Sequence, residues 1–229
     1  MKIPPAIRRI VDRYRHRFLR AARGVIHVGA NIGQERELYA HYGLDVLWIE
    51  PLPEVFSTLE RNIRAFPRQR AVQALVTDRD DSEYAFRVAN NGGESSSIFD
   101  FAAHAEIWPG VVFTRSLPLR GVTLPTLLAR EGIDPAPYDA LVLDTQGAEL
   151  LVLRGAAALL PDWKCIKAEA ADFEAYAGAA RLGDLEDFLA PHGFVEYRRD
   201  RFARRPAGGS YYEVVWIRSA RGRAAPECI

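Results

Sequence analysis

Three carboxylates in the second half of the chain, Asp144, Glu149 and Glu169, and His104 in a central aromatic stretch could all move a proton. Carboxylates and imidazoles accept protons near neutral pH, so each is a candidate catalytic base. Each also has a plainer role. Asp144 could cap a helix, and Glu149 falls early in a helical stretch, where an acid suits the positive helix end. Glu169 could pair with an arginine as a structural acid. His104 could simply pack against Trp108, and His192, between Pro191 and Gly193, reads as part of a turn. The three acids together could hold a divalent cation, but no histidine stands at a ligand spacing from them, so no metal is expected.

A second set of residues reads as a binding site. Val25-Ile26-His27-Val28-Gly29-Ala30-Asn31-Ile32-Gly33 is an apolar run entering a glycine-bearing turn. A helical stretch follows, then a second apolar run from Leu44 that ends in Glu50. This is βαβ grammar. Gly29 and Gly33 have no Cβ, so backbone there could turn sharply and approach a ligand closely. Glu50 lies 21 residues after Gly29, close to the ~20-residue offset of an acid that grips ribose hydroxyls. The glycines are spaced Gly-x-x-x-Gly, which argues against a dinucleotide cradle. It points to a nucleoside cofactor lacking a pyrophosphate, such as S-adenosylmethionine. Asn31 and the N–H groups of a helix starting there could hold a carboxylate.

The elements that position these residues follow in order. Residues 4–22 read as a helix, and residues 1–23 hold eight Lys or Arg against one Asp. That helix is either a lid for an anionic partner or a solvated cover on the sheet. Strand 25–29, helix 31–41, strand 45–50 and a helix from Pro51 and Pro53 to about residue 65 come next. Ala71 to Thr77 is a third apolar run. Asp78 after it either contacts the adenine or is a turn acid. Residues 82–122 break the alternation with a possible strand at 84–89, the turn Asn90-Asn91-Gly92-Gly93, a serine run, an aromatic patch and a possible strand at 117–122. We read this as an insertion shaping a substrate pocket. Helix 123–131 is capped by Thr123, strand 140–144 enters Asp144, and a helix runs to Gly155. Strand 164–170 carries Glu169 and helix 181–190 follows. Strands 194–198 and 211–218, joined by a loop over 201–210, make an antiparallel ending. Residues 219–229 read as a tail.

At 229 residues, 48% hydrophobic, the chain suits one large α/β domain over 24–218 with short appendages. Its formal net charge is zero, so no bulk attraction to nucleic acid is expected. The two cysteines, Cys165 and Cys228, suggest neither a disulfide framework nor a metal cluster, which fits a cytoplasmic protein. No apolar run reaches the ~18 residues of a membrane span.

Two motifs together are more specific than the glycine turn. Val28-Gly29-Ala30-Asn31-Ile32-Gly33 and Leu143-Asp144-Thr145-Gln146-Gly147-Ala148-Glu149-Leu150 resemble those of the FkbM-type methyltransferases. So do Ala74-Leu75-Val76-Thr77-Asp78, Ser95-Ser96-Ser97-Ile98 and Leu153-Arg154-Gly155-Ala156. The likeness covers roughly residues 24–198. It implies a Rossmann-like class I methyltransferase fold: seven strands, mostly parallel with an antiparallel last strand, and helices on both faces. It also implies S-adenosylmethionine and methyl transfer to a hydroxyl of a sugar, polyketide or other small natural product. The cofactor residues so expected are His27, Gly29, Ala30, Asn31, Gly33, Glu50, Pro51, Val76, Asp78, Ser96, Asp144 and Gln146. Two positions depart from the family pattern: His27 stands for an Asp and Gln146 for a Glu.

Methylation of a nitrogen or a carboxylate on a similar acceptor is a second expectation. A catalytically silent cofactor-binding module is a third, suggested by Gln146. A nicotinamide-dependent oxidoreductase is disfavoured by the glycine spacing and the absence of a suitably placed Tyr-x-x-x-Lys pair. A positioned base is worth roughly 10²–10⁴-fold, whereas orientation supplies up to ~7–11 kcal/mol. Losing one carboxylate therefore need not abolish transfer.

Overall fold

The computed structural model describes residues 16–219. The basic helix expected over 4–22 lies outside these residues as far as 15, and the expected tail lies outside them beyond 219. From the N-terminal side the elements are a 3-10 turn (Arg17–Ala21), β1 (Gly24–Val28), α1 (Arg36–His41), β2 (Asp45–Glu50), α2 (Pro53–Ile63), β3 (Gln69–Gln73), β4 (Leu75–Val76), β5 (Glu83–Ala89), α3 (His104–Ile107), β6 (Phe113–Val122) and α4 (Leu124–Arg130). They continue with β7 (Ala140–Leu143), α5 (Glu149–Gly155), a 3-10 segment (Ala157–Asp162), β8 (Cys165–Ala171), α6 (Leu182–Leu189), a second 3-10 turn (Ala190–His192), β9 (Phe194–Arg204) and β10 (Ser210–Arg218).

Seven strands form one sheet in the order β3-β2-β1-β7-β8-β10-β9. Pairing is parallel from β3 through β8, and β10 runs antiparallel to both β8 and β9. The last strand of the chain thus enters between two earlier ones. The central strands are apolar on both faces because helices cover both. On one face Ile26, Val28, Leu47, Leu141, Leu143 and Ile166 pack against Leu127 and Leu128 of α4, Val152 and Leu153 of α5, and Leu185 and Leu189 of α6. On the other, the alternate residues Val25, Val46, Trp48, Ala140 and Val142 pack against Phe18, Leu19, Tyr39 of α1, and Leu59 and Ile63 of α2. This is the period-two alternation of strand side chains. Thr123 caps α4, its side chain accepting from Thr126 N–H.

The stretch 82–122 forms most of a second sheet, β4-β6-β5. It is continuous with the first apolar core through β4, whose Leu75 packs with Phe86, Val88, Leu52 and Val55.

Three sequence expectations shift. The helix expected from 31 starts at Arg36, because residues 31–35 are used in the turn that receives Glu50. The run 71–77 divides between the two sheets as β3 and β4. The loop expected over 201–210 shrinks, since β9 continues to Arg204 as the hydrogen-bonded partner of β10.

Candidate active site

The strand order reverses at β1, from which the chain builds outward through β2 on one side and resumes at β7 on the other. Ligands of open α/β sheets sit beyond the carboxyl ends of strands at such a switch point. A cavity of about 570 Å³ opens there, bordered by residues following β1, β2 and β7, by β4, by the 82–122 insertion, and by β8, β9 and β10.

Gly29 adopts φ +80°, and a Cβ there would lie 1.9 Å from the carbonyl oxygen of Asp144. Its missing side chain is thus required by the β1–β7 backbone approach, sealed by Asp144 N–H donating to Val28 O at 3.0 Å. Gly33 sits at φ +73°, where a Cβ would strike Leu59 at 2.7 Å. It packs the turn onto α2 and does not border the cavity. Asn31 takes φ 44°, which asparagine tolerates better than most residues. Its N–H donates to Glu50 Oε2 at 2.9 Å, and Leu52 N–H donates to Glu50 Oε1 at 2.9 Å. Glu50 is therefore fixed by one backbone donor on each oxygen, and each oxygen keeps a second lone pair. Burial, opposed by these two N–H groups, pushes its pKa up to about 7.

His27 borders the cavity from β1. It stacks on Trp48, with ring centroids 5.0 Å apart, and its Nδ1 lies 3.0 Å from the Tyr39 hydroxyl. Burial lowers its pKa to about 4, so it is neutral at pH 7.

Asp144, at the end of β7, borders the cavity. The Gln146 amide donates to its Oδ1 at 2.6 Å. Gln146 itself sits at φ 53°. Its Oε1 accepts from the Tyr176 hydroxyl at 2.6 Å, and its carbonyl accepts from Ser97 Oγ at 2.7 Å. The residue standing for the family's Glu thus ties Asp144 to two distant loops. Glu169, on β8, also borders the cavity, and no hydrogen bond to its side chain exists among the described residues. Burial raises both carboxyls above the ordinary range, and the Asp144 charge further opposes ionisation of Glu169. Asp144 stays lower because Gln146 donates to it.

Glu149 lies elsewhere. Its carboxylate turns back to accept from Thr145 N–H at 2.9 Å and Gly147 N–H at 3.0 Å, which shapes the loop after β7. Burial pushes its pKa up to about 7. It is 4% exposed and off the cavity wall. Asp78 is also off the wall and pairs with Arg79 at 3.7 Å. Ala30, Pro51, Val76 and Ser96 border the cavity. His192 is remote, its Nδ1 2.8 Å from Phe188 O.

His104 borders the cavity from the insertion. Its Nδ1 is 2.9 Å from the Tyr211 hydroxyl, and its ring stacks on Phe101 with centroids 4.7 Å apart. Its Nε2 is buried and has no partner. Burial lowers its pKa to about 4. Trp108, named with it in the sequence, packs at 4.7 Å. Tyr176, Tyr211 and Phe202 were not singled out by sequence. They reach the site only through contacts across long stretches of chain, such as the 107 residues between His104 and Tyr211.

Five carboxyl side chains border the cavity, those of Glu35, Glu50, Glu94, Asp144 and Glu169, and among the described residues no lysine or arginine does. Among the described residues no three His, Cys, Asp or Glu converge to hold a metal, and no helix is long and apolar enough to cross a membrane.

The fold is shared with solved methyltransferases. Magnesium protoporphyrin IX methyltransferase from Synechocystis PCC 6803, solved with bound SAH, aligns at TM-score 0.51 and 10% identity, covering 93% of this chain and 82% of that one. The N-terminal domain of EvdMO1 with SAH bound aligns at TM-score 0.50 and 13% identity, over 96% and 83% of the two chains. The METTL16 methyltransferase domain aligns at TM-score 0.50 and 12% identity, over 96% and 71%. No curated protein matches the chain. The model of the methyltransferase FkbM domain matches residues 27–196, well over half of the sequence, and the chain belongs to that family.

Proposed function

We propose that the cavity binds S-adenosylmethionine and that the protein methylates a hydroxyl oxygen of a small-molecule acceptor. The observation that carries this reading is the cavity's lining, five carboxyl groups with no lysine or arginine among the described residues. Even with Glu169 protonated and Glu50 partly so, the ionised members of this wall disfavour a pyrophosphate and favour a sulfonium and an ammonium group. The pair Glu50 and Asn31 suits a nucleoside without phosphates, since Glu50 keeps a lone pair on each oxygen for ribose hydroxyls. When bound, the cofactor supplies an electrophilic methyl group. The chain's residues orient the acceptor, exclude water and take a proton from the acceptor hydroxyl.

Asp144 is the base in this reading. It borders the cavity, Gln146 fixes one of its oxygens, and its raised pKa brings it closer to neutral pH than an ordinary Asp. Glu169 shares the wall with a higher pKa and serves as a proton-bearing neighbour. Glu149 is committed to backbone N–H groups and shapes the loop.

The same acids disfavour a carboxylate acceptor, which they would repel. They would accept an amine, and N-methylation is the second reading on that ground. A small acceptor fits a cavity of about 570 Å³ and a chain with zero formal net charge. Calorimetric titration with S-adenosylmethionine and with NAD tests the assignment. Binding of the first alone supports it, and binding of NAD alone overturns it. Mass spectrometry of hydroxyl, amine and carboxylate acceptors incubated with the methyl donor then separates the readings.

A further inference from the structure

We propose that the cavity wall formed by His104, Trp108, Phe202 and Tyr211 is an acceptor subsite for a planar aromatic ring bearing a hydroxyl. The inference rests on the methyltransferase reading above and names its substrate class. Phe202 is the first observation. The β9–β10 register pairs Ala203 with Tyr211 and Arg201 with Tyr212, leaving Phe202 as the extra residue of a β-bulge. Bulges re-aim a side chain. This one lays a phenyl ring that is 44% exposed against the Tyr211 ring, with centroids 5.7 Å apart, on the cavity wall. Leaving a large apolar ring in water at a cavity mouth is otherwise unfavourable.

The second observation is His104. It is 3% exposed, its Nδ1 is engaged by the Tyr211 hydroxyl, and its Nε2 has no partner. A buried polar atom without a partner is costly and calls for one. In the tautomer with Nδ1–H donating to Tyr211, Nε2 presents a lone pair for a hydroxyl donor, and in the other its N–H suits a hydroxyl oxygen, so either form takes one hydroxyl. Trp108 adds its ring 5.2 Å from Tyr211, and no hydrogen bond of its indole N–H exists among the described residues. These four side chains therefore offer stacking area and, among the described residues, only two unengaged polar atoms, His104 Nε2 and the Trp108 indole N–H. A polyhydroxylated sugar needs many hydrogen bonds, whereas an aromatic hydroxyl needs one and an apolar face.

The test titrates 2-naphthol, 2-methoxynaphthalene and methyl β-D-glucopyranoside into the full chain, with and without S-adenosylhomocysteine, followed by tryptophan fluorescence and calorimetry. 2-Naphthol is expected to bind most tightly, and Phe202→Ala to weaken it by about 10-fold. Masking the hydroxyl as the methyl ether should cost about 10-fold in the wild type and nothing in His104→Phe. That difference is a readout that a merely structural role for His104 would not move. Phe202 is exposed, so its variant remains informative if His104→Phe fails to fold. Unchanged 2-naphthol affinity in Phe202→Ala, or preference for the glucoside, overturns the proposal. Failure of S-adenosylhomocysteine to bind overturns the methyltransferase reading separately, and naphthol titrated alone still judges the wall.

Discussion

Ionised Glu50 should be required for nucleoside binding, and this makes affinity depend on pH in a calculable way. In the unliganded protein its pKa is about 7, raised chiefly by burial. Ribose hydroxyls donate to the carboxylate, so only the ionised fraction is competent. At pH 6 that fraction is about one tenth, and at pH 8 about nine tenths, so affinity should rise ~10-fold across the interval. Binding below pH 7 should also release close to one proton, seen by calorimetry in buffers of different ionisation enthalpy. 5′-Methylthioadenosine is the probe, because nothing in it titrates in this range. Glu50→Gln keeps one acceptor oxygen and loses one charge-assisted hydrogen bond worth ~1.5–3 kcal/mol, which predicts affinity ~10–150-fold weaker at pH 8 and flat with pH. It also sets an amide NH₂ against the N–H of Asn31 or Leu52, at a cost of ~1–3 kcal/mol. Against this, it relieves an ionisation made unfavourable by about 2.5 pKa units, or ~3 kcal/mol. The two nearly cancel, so stability by urea unfolding should stay within ~2 kcal/mol. Equal wild-type affinity at pH 6 and pH 8, or an unaffected variant, would refute this role for Glu50.

Three further predictions follow from the same geometry. Gly29→Ala forces a Cβ to 1.9 Å from Asp144 O, so it should cost ~3–5 kcal/mol from left-handed strain and overpacking; urea unfolding within 1 kcal/mol of wild type would contradict it. Gln146→Glu puts a third carboxyl against Asp144 at a 2.6 Å contact, which should lower Tm more at pH 8 than at pH 5, since like charges oppose ionisation; a shift equal at both pH values would count against the clamp. His27 has its pKa depressed to about 4 in the folded state, against ~6.5 unfolded. The unfolded chain binds its proton first, so its contribution is fully present above pH 6.5 and ~3 kcal/mol of it is lost as pH falls to 4. His27→Phe keeps the stack on Trp48 and should remove that component, which paired urea unfolding at pH 7 and pH 4.5 would detect.

Much of the sheet was legible because its central strands are short apolar runs delimited by glycine, proline or an acid. The turn after β1 and Glu50 could be read because local spacing fixes both. Local spacing did not reveal why Gly29 is a glycine: the atom it must avoid belongs to Asp144, 115 residues away in the chain. Sequence ranks Asp144 ahead of Glu149 as a base only from its place at a strand end, not from any local contact. Both are acids in one motif, yet one faces the cavity and the other folds back on its own loop. The aromatic wall was half visible. His104 and Trp108 stood together in the sequence, whereas Tyr211 and Phe202 join them through strand pairing and a bulge that leave no local signature. Gln146, standing where the family pattern has a Glu, is the residue that keeps a catalytically silent module among the alternatives. In the folded chain it supplies a donor to Asp144 that needs no proton of its own.

A crystal structure of the protein with S-adenosylhomocysteine is the most direct test. The account predicts the ribose hydroxyls within hydrogen-bond distance of Glu50 and the sulfur turned toward Asp144. A nucleoside seated away from the ends of β1 and β2, or Glu50 without contact to it, would contradict the account.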